Sequence, residues 1–70
     1  MAVDITYESH TEDASYRLRP NPDCPAGQGF KYGAVLEWTD DGKEWKGYFF
    51  IAPEAIKDLA EMFTKAEETT

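Results

Sequence analysis

Apolar or aromatic side chains recur at every second position from Phe30 to Trp38. Phe30, Tyr32, Ala34, Leu36 and Trp38 occupy one side, with Lys31, Gly33, Val35 and Glu37 between them, the period of a half-buried β-strand. Asp40-Asp41-Gly42-Lys43 then supplies turn residues, and the alternation resumes toward Ile51. With Asp41-Gly42 at the centre of a type I′ turn, counting outward sets Trp38 opposite Trp45, Leu36 opposite Gly47, Ala34 opposite Phe49 and Tyr32 opposite Ile51 on an apolar face. The same register places Glu37 opposite Lys46, Val35 opposite Tyr48 and Gly33 opposite Phe50 on the other face.

Upstream, Val3, Ile5 and Tyr7 alternate with Asp4, Thr6 and Glu8, which predicts a first strand. Ser9 to Asp13 predicts an exposed polar turn. Ala14, Tyr16 and Leu18 alternate with Ser15, Arg17 and Arg19, which predicts a second strand antiparallel to the first. Pro20 ends it, and Pro20 to Gly29 holds three prolines and two glycines, a composition that no sheet ladder tolerates. This segment is expected as a loop able to cross the sheet or cover an edge.

Downstream, Pro53 suits the first position of a helix, although Ala52 is a weak cap. Ala55, Ile56, Leu59, Met62, Phe63 and Ala66 recur at helical spacing. The expected fold is therefore α+β: a four-stranded antiparallel sheet followed by one C-terminal helix packed on one face, in the order ββββα. Residues 1–66 form the expected single domain, with a frayed acidic tail over 67–70. One helix covers the apolar faces of four strands poorly, so either the proline-rich loop closes the remainder or two copies associate as a homodimer.

Seventy residues leave little room for a catalytic cleft, since a chain of this length buries only about 60% of its unfolded surface. Hydrophobic residues make up 41% of the chain and aromatic residues 14%, a globular composition in which aromatics carry much of the core. The net charge of −7 disfavours non-specific attachment to phosphate backbones or anionic membranes and suits a basic partner. Cys24 is the single cysteine and has no partner for an internal disulfide. No basic segment precedes an apolar run, and no stretch approaches about 18 apolar residues. A cytoplasmic protein without a membrane span is expected.

The residues do not assemble a catalytic or metal-binding set. His10, the only histidine, lacks an obvious nucleophile in the sequence. Cys24 lies between Asp23 and Pro25, and a neighbouring acid opposes thiolate formation. His10 and Cys24 together fall short of a zinc site, while Asp40 and Asp41 are explained by turn chemistry. Gly27-Gln28-Gly29 lacks the third glycine and the helix of a phosphate-cradling loop. No enzyme, cofactor or metal is expected. The candidate site is instead the open sheet face, on which alternation places Arg17, Arg19, Lys31, Val35, Lys46, Tyr48 and Phe50. These include four of the seven basic residues and two aromatics that solubility does not require.

The strand Tyr32–Trp38, the charged turn Thr39–Lys46 and the entry Ile51-Ala52-Pro53-Glu54 into an amphipathic helix ending near Met62-Phe63 resemble the PC4-like family of transcription cofactors. That resemblance implies a ββββα domain that binds single-stranded nucleic acid across its sheet, with Arg17, Arg19, Lys46 and Tyr48 as the positions to carry it. The strongly acidic charge points elsewhere: to a non-enzymatic protein-binding module, a small regulator or inhibitor of the kind phages and mobile elements encode, engaging a basic surface of a nucleic-acid-handling protein. The charge favours the protein-binding reading; the single-strand binder is the alternative.

Overall fold

The computed structural model describes residues 5–70. Four strands, β1 (Tyr7–His10), β2 (Ser15–Pro20), β3 (Ala34–Thr39) and β4 (Lys46–Ile51), form one antiparallel sheet in the order β1-β2-β3-β4. A short 3₁₀ turn (Pro53–Ala55) then leads into helix α1 (Ile56–Glu68). The expected α+β, ββββα architecture is thus the observed one.

The strand boundaries differ from the sequence reading in instructive ways. Val3, expected in the first strand, lies outside the described residues. β1 begins at Tyr7 and includes His10, so the first turn is displaced to Thr11–Ala14, where the Thr11 amide and hydroxyl both donate to the Ala14 carbonyl at 2.8 Å. β3 begins at Ala34 instead of Phe30. Gly33, at φ 105°, donates its amide to the Phe30 carbonyl and so closes a turn ahead of the strand.

β2 and β3 pair Tyr16 with Trp38, Arg17 with Glu37, Leu18 with Leu36 and Arg19 with Val35. In the β3–β4 hairpin, Ala34 faces Ile51, Val35 faces Phe50 and Leu36 faces Phe49, in place of the expected Phe49, Tyr48 and Gly47, whereas Trp38 faces Lys46 in place of Trp45. One residue, Glu37, therefore lies opposite two, Gly47 and Tyr48. Gly47 adopts φ 63°, the left-handed conformation that a bulge of this kind requires. The bulge reverses the alternation of β4, so that Lys46 shares a side with Trp38 and Trp45 moves to the opposite side.

The expected type I′ turn does not form, because Asp41 does not take positive φ. Asp40–Trp45 instead make a longer connection organised by side chains. The Thr39 hydroxyl accepts the amides of Asp41 and Gly42 and donates to the Asp41 carboxylate at 2.9 Å, while that carboxylate accepts the amides of Lys43 at 2.8 Å and Glu44 at 3.0 Å. Five satisfied polar groups outweigh the preference of Asp-Gly for a two-residue turn.

Helix α1 lies on the side of the sheet that carries Leu18, Ala34, Leu36 and Ile51, with Ile56, Leu59, Ala60 and Phe63 turned toward them. It lacks a side-chain cap, and its entry is tightened by the Ala55 amide donating to the Ala52 carbonyl at 2.9 Å. The helix continues through Glu68 and so takes in the first two residues of the expected frayed tail, with the Thr69 and Thr70 hydroxyls donating to its last carbonyls. No residue of α1 is buried, and Ala34 and Val35 are the only fully covered hydrophobic side chains among the described residues. No helix among these residues is long and apolar enough to cross a membrane.

The long loop is pinned at its base by Asn21, whose amide donates to the Gly33 carbonyl and whose side chain donates to the Tyr32 carbonyl at 3.1 Å. Phe30 stacks on Tyr7 with ring centres 5.9 Å apart, tying the end of the loop to β1. Tyr7 nonetheless stays exposed, so the loop does not close the apolar face.

Candidate binding face

The side of the sheet away from α1 is organised by Glu37. Its carboxylate accepts from Nε of Arg17 and from Nε of Arg19, both at 2.8 Å, with Nη2 of Arg19 at 3.5 Å. The β2–β3 register makes this possible by setting Arg17 directly opposite Glu37. Only 6% of Glu37 is exposed, and hydrogen bonding from Arg17, joined by Arg19, holds its carboxyl below the ordinary value of 4.5 despite the opposing effect of burial. The Arg17 guanidinium also lies 4.1 Å from the ring centre of Trp45. A cation sandwiched between a carboxylate and an aromatic face is held rigidly and is no longer free to wander toward a ligand.

The seven candidate residues do not converge as the alternation suggested. Arg17 and Arg19 share this face with Val35 and Phe50, and alternation from Phe49 puts Tyr48 there too. Val35, paired with Arg19 on one side and Phe50 on the other, is fully covered and supports the face from beneath. Lys46 lies on the helix side. Its Nζ is 5.4 Å from the Trp38 ring centre and 3.1 Å from Asp40, and that ion pair raises its pKa. The expected Glu37–Lys46 cross-strand pair is therefore replaced by two others. Lys31 belongs to the loop, its Nζ 5.5 Å from the ring centre of Tyr32.

Among the described residues of the sheet, charge on this face is balanced. Glu8 pairs with Arg17 across β1 and β2, so two carboxylates, Glu8 and Glu37, stand with two guanidiniums. Beside them Tyr48 and Phe50 leave more than half of their surfaces in water. At the hairpin end of the sheet, the turn carrying Glu12 and Asp13 meets the turn carrying Asp40 and Asp41 around a depression of about 210 Å³. The backbone amides of Glu44 and Lys43, with the Thr39 hydroxyl, lower the Asp41 carboxyl to about 2, so it stays ionised at any physiological pH.

The fold also gives His10 a neighbour the sequence did not reveal. Its Nδ1 lies 2.8 Å from the Ser15 hydroxyl, and Nε2 lies 3.4 Å from Glu8. The imidazole is bathed in solvent at the end of an edge strand, where water screens the field that an activated serine needs. The Ser15 contact clasps β1 to β2, and the Glu8 contact lies within β1. Among the described residues, no three His, Cys, Asp or Glu side chains are grouped to hold a metal ion.

Alternation within the hairpin puts Glu37 on this face but does not reveal its arginine partners, and it puts Trp45 on the wrong side. A glycine inside a strand is a bulge signal, and Gly47 is the available clue to the side Trp45 takes. The role of Glu37 depends on β2–β3 pairing across a long loop, which no local pattern encodes.

No family model, no curated protein and no solved structure matches this chain.

Proposed function

We propose that the chain is a non-enzymatic, acidic protein-binding module. The observation that carries this reading is the pair of exposed aromatics, Tyr48 and Phe50, beside a charge-balanced cluster of Arg17, Arg19, Glu8 and Glu37. Such a surface suits aromatic anchoring in a protein groove, with a polar rim. The carboxylates of Glu12, Asp13, Asp40 and Asp41 at the hairpin end supply long-range attraction for a basic partner, such as the nucleic-acid-binding surface of another protein. A small regulator or inhibitor of such a protein, of the kind phages and mobile elements encode, is the role these features fit.

The alternative, a PC4-like single-strand binder, draws on the same aromatics for base stacking. It is weakened by the ion pairing of both arginines with Glu37 and by the position of Lys46 on the other side of the sheet, because affinity for phosphates rests on cations that release counterions.

The test is a fluorescence-anisotropy titration against labelled single-stranded DNA, single-stranded RNA and an arginine- and lysine-rich peptide, at low and moderate salt. Binding of the basic peptide that weakens with salt and with the double substitution Tyr48→Ala/Phe50→Ala, with no nucleic-acid binding, is the expected result. Micromolar or tighter nucleic-acid binding would transfer the function to the alternative. Peptide binding unaffected by the double substitution in a folded variant would remove the aromatic platform.

A further inference from the structure

The side of the sheet opposite the proposed binding face is incompletely covered. α1 contributes no buried residue, and an open groove of about 200 Å³ runs between the helix and the sheet. Leu18, Leu36, Ile51, Leu59 and Phe63 are among its walls, which carry no charged side chain. Phe49, paired with Leu36, is 58% exposed, and on the helix Met62 and Phe63 are 62% and 66% exposed. A helix whose apolar stripe faces water gains little from packing and is marginal on its own.

The surface area gives the scale of what is missing. A folded monomer of 8.0 kDa is expected to expose about 4,450 Å². This chain exposes 5479 Å², about 1,000 Å² more. A standard interface removes about 800 Å² from each partner. The excess is of the order of one interface per chain, and on the helix side it includes the uncovered apolar surface of Phe49, Met62 and Phe63.

We propose that a second copy of this chain covers the groove, giving a two-fold dimer through α1 and the Phe49 side of the sheet. A two-fold interface uses one patch twice, and this patch offers both protruding apolar side chains, Met62 and Phe63, and an uncharged groove to receive apolar side chains. Nothing in the groove selects a charged partner. Each copy brings a net charge of −7, so the copies repel at long range and the dimer must be held by apolar burial alone. Salt screens that repulsion, so dimerisation strengthens as ionic strength rises. Attraction of a basic partner to the opposite face has the reverse salt dependence, which separates the two interactions experimentally.

Sedimentation equilibrium of the full chain over a range of concentrations and salt tests this. The expected mass is about 16 kDa, twice the 8.0 kDa of one chain, with tighter association at higher salt and a thermal midpoint that rises with protein concentration. Met62→Glu, at a position exposed in the single chain, should weaken association at least about tenfold, while Phe50→Lys on the other face should leave it unchanged. Circular dichroism at concentrations where each species is monomeric separates loss of association from loss of fold. A mass of 8.0 kDa at all concentrations, with a concentration-independent thermal midpoint, would overturn the proposal. So would a dimer that dissociates with salt, or one disrupted by Phe50→Lys but not by Met62→Glu. None of these outcomes bears on whether the basic peptide binds.

Discussion

Gly47 lies so close to the indole of Trp38 that a Cβ at position 47 would stand 2.5 Å from both Cδ1 and Nε1 of the ring. The glycine is needed twice, for its φ of 63° and for the space it leaves. Gly47→Ala must therefore either displace Trp38 or dissolve the bulge. The left-handed conformation alone costs a non-glycine residue about 1–2 kcal/mol, and the clash adds to it, so a loss of about 2 kcal/mol or more is expected in urea unfolding. If the bulge dissolves, Trp45 leaves Arg17, and its fluorescence spectrum changes with it.

Glu37 is a single anion shared by two guanidiniums. Glu37→Gln leaves Arg17 and Arg19 without their shared anion, and a loss of about 2 kcal/mol is expected, below the figure for a fully buried pair because both arginines retain access to water. The pH dependence has a definite sign. The folded carboxyl titrates below 4.5, so its contribution is complete above that pH and disappears as acid protonates it. The Gln variant should show a flatter stability profile below pH 4.5 than the parent, measured by denaturant unfolding at a series of pH values. It should also gain affinity for single-stranded DNA, since the face with the exposed aromatics becomes more positive by one charge.

Asp41 organises the β3–β4 connection from an exposed position. Its carboxyl is lowered from 3.8 to about 2, so its contribution is intact above pH 3.8 and fades as the pH falls toward 2. A carboxyl-resolved NMR titration should find Asp41 near 2. Asp41→Ala removes the acceptor for the Lys43 and Glu44 amides, and hydrogen exchange at those two positions should accelerate before exchange in the strands does.

Asn21 holds the base of the long loop through its backbone and both ends of its side chain: the side-chain oxygen accepts the Asp23 amide while the nitrogen reaches Tyr32. Asn21→Ala should cost about 1 kcal/mol. Limited proteolysis should then show faster cleavage between residues 22 and 32, with the sheet intact.

The order of elements, the amphipathic helix and the loop between Pro20 and Gly29 were legible because each has a local signature in period, proline or glycine. Side assignment within β2 and the first half of β3 was equally legible, since Arg17, Leu18, Arg19 and Leu36 follow unbroken alternation. The register of the β3–β4 hairpin was not legible. The hydrogen bonds of Thr39 and Asp41 lengthen the connection, Ala34, Val35 and Leu36 pair two residues further along β4 than an Asp41-Gly42 turn predicts, and the bulge puts Trp45 and Lys46 on the sides opposite to those expected. The partners of Glu37 lie 18 and 20 residues away in sequence, so their meeting is a tertiary fact.

The bulge has a further consequence at the rim of the sheet. β4 is an edge strand, and a regular edge rich in aromatics is a template on which identical strands can stack without limit. With an extra residue between Lys46 and Phe49, the outward row of amides and carbonyls is broken and twisted halfway along, so an incoming strand finds no continuous ladder to extend. The bulge thereby works against strand addition at the edge that carries Tyr48, Phe49 and Phe50 in succession.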